Sequence, residues 1–295
     1  DGFEGNAAEL RIPVEVDRQP PSLSVASGLT YVRRGGAAAV VYRVDEDAVE
    51  AGVQVGEAWF PGSPMPGGGH LAVFAIPIDA VQDPEVVVVA IDAFGNESKG
   101  RFDVRVQERV FGEISISLSD RFLGRVATRL GKASNMTEST ELATFQRINS
   151  ELRKLNEAVI ADAIGAPTPK QWVGAFKQMR NSSVTSHFAE LRHYTRGGQR
   201  VSIARHYGYD LASTGHAPIT ASNGGTVIYA GENGIYGILV LIDHGLGITS
   251  LYGHLSNLDV KVGDKVDKDQ KLGNSGATGL AGGDHLHFAI LVGRT

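Results

Sequence analysis

The sequence predicts a mainly β protein, interrupted once by a pair of helices. Three observations carry this. Apolar residues alternate with polar ones in short segments from 22 to 107 and again after 176, the period of a strand with one buried face. Gly- and Pro-rich turns separate those segments, as in Gly62-Ser63-Pro64-Met65-Pro66-Gly67, which suits antiparallel sheets better than an α/β fold. Only between 111 and 170 does the apolar spacing become three or four, the period of a helix.

In chain order, Asp1-Gly2-Phe3-Glu4-Gly5-Asn6 resembles Asp92-Ala93-Phe94-Gly95-Asn96 with one residue inserted. Each copy is followed by alternating apolar residues, Ile12, Val14, Val16 and then Phe102, Val104, Val106. A turn and final strand seen twice suggest two similar β-domains in tandem. Residues 1–20 are then the tail of a preceding domain, with Arg18-Gln19-Pro20-Pro21 as linker. Residues 21–110 form a complete unit with expected strands at 22–27, 37–43, 53–60, 70–76 and 86–91. Short strands at this spacing favour a β-sandwich and resemble a bacterial immunoglobulin-like module. That assigns no activity beyond spacing, or docking to an envelope protein. His70 reads as an ordinary edge histidine.

Residues 111–170 read as a helical hairpin linking the domains. Ile114, Ile116 and Leu118 alternate, and Ser119-Asp120 can then cap a helix bearing Phe122, Val126 and Leu130. A second helix follows Thr137, with Leu142, Phe145, Ile148, Leu152, Leu155 and Val159 as one packing stripe. Gly165-Ala166-Pro167 stops it. Residues 171–295 return to strands, expected at 184–188, 200–204, 225–230, 237–242, 248–254 and 261–262, with a polar loop at 194–199.

Composition limits the partners. The 295 residues carry a net charge of −5, which gives no basic footprint for nucleic acid. No apolar run reaches the 18 residues of a membrane span. The absence of Cys removes disulfides and thiolate metal sites and is compatible with export. The chain opens on Asp1, not Met, as expected of a fragment whose missing part has room for a signal or anchor.

The chemistry centres on Asp284-His285-Leu286-His287-Phe288, which leads into an apolar strand. Residues i and i+2 of a strand share a face, so His285 and His287 point the same way, a natural metal or proton-transfer pair. Upstream, Arg205-His206-Tyr207-Gly208-Tyr209-Asp210 sets an imidazole four residues before a carboxylate, and Leu251-Tyr252-Gly253-His254-Leu255 adds another imidazole. Catalytic zinc commonly takes three protein ligands and leaves one open position.

His-x3-Asp, Tyr-x-His-Leu and His-Leu-His-Phe, in this order, resemble the LytM/lysostaphin-type zinc endopeptidases, peptidase family M23. The resemblance runs from about Phe176 to Val292 and includes Ile242-Asp243-His244-Gly245 and Val260-Lys261-Val262-Gly263-Asp264-Lys265-Val266. Asp284 stands where the family often has Pro, and the chain ends at Thr295 where members usually run on. The resemblance implies an antiparallel-β peptidase domain that cleaves peptidoglycan peptide stems in the bacterial periplasm or cell envelope. It implies Zn2+ held by His206, Asp210 and His287, with His254 and His285 as catalytic histidines. Tyr252, two residues before His254, is expected on the same strand face and at the substrate. His244 reads as a turn residue, and His187, His193 and His216 lack motif context.

Two other readings compete. A non-hydrolytic binding or activating module of the same fold is disfavoured by the full set of ligand types. A biotinyl/lipoyl-type carrier, suggested by the turn-rich 260–273 stretch, lacks a displayed Lys in the required setting. The length of chain ahead of the site also raises the expectation that residues 111–200 restrict the groove, with Asn181 as a candidate inhibitory contact. On that expectation, a chain starting near Pro169 is the faster hydrolase.

Overall fold

The computed structural model describes residues 16–45 and 47–294. The first copy of the turn-and-strand repeat falls almost wholly outside them. Two four-stranded antiparallel sheets build the N-terminal unit. One runs in the order Leu23–Val25, Ala37–Val44, His70–Ala75, Ser63–Pro64, and the other Ala58–Pro61, Ala48–Val55, Val86–Asp92, Glu97–Arg101. Val40, Tyr42 and Phe74 of the first share a buried core with Val53, Val55, Phe60 and Val88 of the second, so the unit is a β-sandwich. The strand expected at 53–60 is instead a hairpin, broken by a turn at Gly56-Glu57. Thr30–Arg33 buries only Val32, which hid it as a strand, and it pairs in parallel with Val104–Gln107.

The helices begin on their caps. Ser119 Oγ accepts the Phe122 N–H at 3.2 Å, and Thr140 Oγ1 accepts the Ala143 N–H at 3.1 Å, three residues later than the expected start at Thr137. Each helix contains one π-helical turn, Leu123–Ala127 and Ile148–Leu152. A π turn inserts a residue into the period. Burial in the second helix therefore runs Phe145, Ile148, Leu152, Asn156, Ile160, and Leu155 and Val159 of the expected stripe are exposed. The helices share a core with Leu239, Leu241, Leu251 and Ala289 of the C-terminal sheet. This segment is packed against that sheet and does not stand off as a free spacer.

The C-terminal sheet has seven antiparallel strands in the order Ser183–Ser186, Tyr209–Ala212, Leu286–Val292, Ile248–Leu255, Ile238–Gly245, Gly225–Glu232, Lys265–Val266. The helices cover one face. The other face buries Val240, Ile242, Tyr252 and Leu286 against Ile219 and Leu272 of a small three-stranded sheet. Lys261-Val262 is a loop and no strand; pairing resumes at Lys265. The polar loop expected at 194–199 is a hairpin, Leu191–Arg196 with Gln199–Arg205. Gly197 and Gly198 turn it with φ of +56° and +80°, the left-handed conformations a two-residue hairpin turn needs. Glu113–Ser117 adds to it in parallel, with Ile114 opposite Arg192.

Candidate metal centre

Strand register assembles the site. Asp210 lies directly opposite His287 on one side, and Gly253 lies opposite it on the other. Cross-strand partners share a face, so the carboxylate and imidazole meet, and Gly253 contributes no side chain to crowd them. Gly208 is equally required, because a Cβ there would stand 2.7 Å from His287 Cε1. His206 follows the Gln199–Arg205 strand. Its N–H donates to the Glu190 carbonyl at 3.0 Å, and its carbonyl accepts the Ala189 N–H at 2.7 Å. His254 has a left-handed backbone, φ +63°, at a bulge where the pairing register shifts between Ile238 and Val240. A left-handed non-glycine residue is costly and concentrates at functional sites. The bulge turns His254 away from the Tyr252 face, and its ring lies 5.9 Å from that of His287.

Backbone carbonyls then fix the imidazoles. A carbonyl can only accept, so Nδ1 donates in three cases: His206 to His187 O at 3.0 Å, His254 to Thr278 O at 2.9 Å, and His285 to Gly283 O at 2.9 Å. In the neutral ring, Nε2 of each is left with a lone pair. His206 Nε2 lies 2.9 Å from Asp210 Oδ1 and 2.9 Å from His287 Nδ1, and the last two are 3.0 Å apart. His285 Nε2 is 3.5 Å from the same oxygen. His287 Nε2 is buried without a hydrogen-bond partner among the described residues. With its ring neutral, His206 Nε2 is an acceptor beside the acceptor Asp210 Oδ1, and two such atoms 2.9 Å apart repel unless a proton or cation sits between them; His287 Nδ1 can donate or accept, depending on its tautomer. Two imidazole nitrogens and one carboxylate oxygen are a donor set suited to a divalent metal, and the geometry fits one.

Electrostatics agree with that reading. Burial raises the Asp210 carboxyl, but the neighbouring His206, His285 and His287, which can bond to the carboxylate when a proton sits on the facing nitrogen, outweigh it and hold the group far below the usual range. Burial pushes the His287 imidazole down to about 4, with the His206 charge adding and Asp210 opposing. Burial, then His285 and His287, pushes His254 well below its ordinary value. Burial also lowers His285, but its bond to Asp210 and that residue's charge prevail, and the net shift is upward. Burial thus favours the neutral form of His287 and His254, the form in which an imidazole binds metal.

Among the residues singled out from sequence, the structure brings together His206, Asp210, His287, His254 and His285. It does not bring Tyr252. Strict alternation would place Tyr252 beside His254, but the bulge separates them. Tyr252 is 1% exposed on the opposite face and packs on Phe288. Its Oη accepts the Ser222 N–H at 2.8 Å and lies 2.9 Å from Ser222 Oγ and 3.0 Å from Ser250 Oγ. Asn181 is also elsewhere. It is exposed in a left-handed turn, and its carbonyl accepts from Ser213 Oγ at 2.8 Å. His244 is no local turn residue; it is fully buried. Asp284 fastens the loop before His285, accepting from Ser275 Oγ and from the His216 N–H at 3.1 Å.

Sequence reasoning missed two groups. Arg192 Nη2 donates to Asp210 Oδ2 at 2.6 Å; it lies on the strand Leu191–Arg196, whose second half has the polar composition of a loop, and nothing local marks it. Arg125 and Arg129 of the first helix donate to the Gly282 and Gly279 carbonyls at 3.2 and 3.0 Å. The upstream segment therefore braces the Gly-rich loop before His285. A chain starting at Pro169 would lose this brace and expose Leu239, Leu241 and Leu251, so a gain in rate is no longer the expected result.

The peptidase family M23 signature matches residues 204–295, which include all five clustered residues. Among curated proteins, the peptidoglycan DD-endopeptidase ShyB of Vibrio cholerae is 28% identical over 65% of this chain and 40% of its own length. ShyA of the same organism, also a peptidoglycan DD-endopeptidase, is 38% identical over 30% of this chain and 21% of its own length. The chain thus spans well under half the length of these relatives. A crystal structure assigned to peptidase M23 from Pseudomonas aeruginosa superposes with a TM-score of 0.53 at 23% identity, covering 89% of this chain and 90% of that one. The overall fold is shared with it.

Proposed function

From a C-terminal domain that belongs to peptidase family M23, we propose that this protein is a zinc-dependent endopeptidase that hydrolyses peptide cross-links of bacterial peptidoglycan. The observation that carries the reading is the triangle of His206 Nε2, Asp210 Oδ1 and His287 Nδ1, with separations of 2.9–3.0 Å and two further histidines beside it. ShyA and ShyB, both peptidoglycan DD-endopeptidases, support the substrate class. His206, Asp210 and His287 hold the metal. A zinc ion there supplies the Lewis acidity that lets water act as a nucleophile near neutral pH. His254 and His285 do the proton work. Their Nδ1–H groups are tied to Thr278 and Gly283, so in the neutral ring Nε2 carries the lone pair that can accept a proton from the attacking water. The same nitrogens can return a proton to the leaving amine and steady the charge growing on the carbonyl oxygen.

The remaining assignments follow the same proposal. Residues 21–110 are an immunoglobulin-like module that spaces the peptidase or docks an envelope protein, 111–170 the helical segment, and 171–295 the peptidase. The protein works in the periplasm or cell envelope. The test is digestion of purified peptidoglycan and of defined cross-linked muropeptides, with product masses. The expected result is cleavage of cross-links that stops with a chelator and returns with zinc. Zinc-loaded, folded protein that binds the muropeptides and leaves them intact would overturn the reading.

A further inference from the structure

The side chain of Asp210 has two oxygens with different surroundings. Oδ1 faces His206, His285 and His287, at 2.9, 3.5 and 3.0 Å. Oδ2 faces the Arg192 guanidinium at 2.6 Å, and both side chains are largely buried. The main chain of Asp210 is fixed independently. It lies between Ser186 and His287 in the sheet, and its carbonyl accepts from Thr185 Oγ1 at 3.1 Å. What remains free is rotation of the carboxylate, and Arg192 is the group that stops it. Arg192 comes from another sheet, on the strand between Glu113–Ser117 and Gln199–Arg205. It precedes residues 204–295, over which the family signature matches.

We propose that Arg192 is the positioning residue of the metal centre: by holding Oδ2 it makes Asp210 a one-oxygen ligand and presents Oδ1 alone to the two imidazoles. The inference rests on the metal reading of the site. A carboxylate without this partner can swing both oxygens toward a cation, or bond to the ring nitrogens instead. Partners behind a metal ligand typically change metal affinity by about 10–100-fold when removed.

The experiment is zinc affinity by competition with a chromophoric chelator, together with the visible spectrum of the cobalt-substituted protein, for wild type, Arg192→Gln, Arg192→Lys and His206→Ala. The expected result is that Arg192→Gln binds zinc about 10–100-fold more weakly and shifts the cobalt bands. Arg192→Lys keeps the charge but not the planar donor geometry, and should fall between it and wild type. If Arg192→Gln does not fold, Arg192→Lys decides alone, through the same affinity and spectrum. Zinc affinity within twofold of wild type and unchanged cobalt bands in the folded variants would overturn the proposal. A wild type that binds no zinc, or a His206→Ala variant that binds it equally well, would instead overturn the reading beneath it.

Discussion

The seven-stranded sheet buries histidine on both faces, and the two settings obey opposite rules. On the face away from the helices, His244 Nδ1 donates to the Gly224 carbonyl at 2.7 Å, and Nε2 lies 2.7 Å from Ser250 Oγ, which can donate to it. Ser250 continues to Tyr252 and on to Ser222. Every polar atom of that chain has a complementary partner, as buried polar groups must if they serve the fold. On the helix-covered face, His206, His254 and His285 spend Nδ1 on carbonyls, and His206 and His285 turn Nε2 toward Asp210 Oδ1. With the rings neutral, those nitrogens and the carboxylate oxygen are acceptors facing acceptors. A network of complementary partners locks structure; acceptors turned on one another suit a cation. Burial and histidine content alone would not separate the two faces, whereas donor–acceptor accounting does.

The sharpest way to break this comparison is to remove one ring at a time from the incomplete network. His206→Ala should lose zinc and activity together, because it deletes one corner of the ligand triangle. His254→Ala and His285→Ala should keep zinc and lose about 10²–10⁴-fold in rate, the worth of general acid–base help. Metal content by mass spectrometry, measured beside peptidoglycan hydrolysis, checks both halves. Zinc loss in His254→Ala with retention in His206→Ala would reverse the assignment.

The complete network should respond differently. Tyr252→Phe removes one hydroxyl and leaves the Ser222 N–H without its acceptor. Such a buried unsatisfied donor costs about 1–3 kcal/mol. Denaturant unfolding should report that loss while zinc affinity and hydrolysis stay near wild type. A large fall in rate at unchanged stability would put Tyr252 back at the substrate, where alternation along its strand had suggested it lay.

That reversal shows what the sequence could and could not reveal. The five clustered residues were legible because each sits in a short local motif, and the β character was legible from period-two alternation and Gly-rich turns. The face of His254 was not, because a single left-handed residue at a bulge undoes alternation without leaving a compositional trace. The drift of the helix stripe from Leu155 and Val159 to Asn156 and Ile160 has a similar origin in one π turn. Arg192 was hidden for another reason. Its partner Asp210 lies on a different sheet, and its own strand is set by the parallel addition of Glu113–Ser117 from far upstream. Pairing at such distance leaves no periodicity to read.

The smallest expected effect tests whether His244 is structural through its proton. Burial lowers its pKa from the ordinary 6.5, while the bond to Gly224 and the charge of Asp243 oppose the shift. Its ring also meets Phe176 edge-on, with centroids 4.8 Å apart. With the folded value below the unfolded one, the unfolded chain binds more protons at pH between the two. Stability from this group is therefore complete above about 6.5 and is lost as pH falls from there through the depressed folded value. Replacing it with Gln removes the titration and leaves an uncharged polar side chain. The variant should be less stable at pH 7.5, since Gln cannot keep both bonds at imidazole geometry. It should also lose less stability than wild type between pH 7.5 and 5.5. Both proteins are kept zinc-saturated, so that contributions from the other face cancel. Urea unfolding at the two pH values gives the comparison directly, and an equal loss in both proteins would show that His244 does not carry the proton linkage assigned to it.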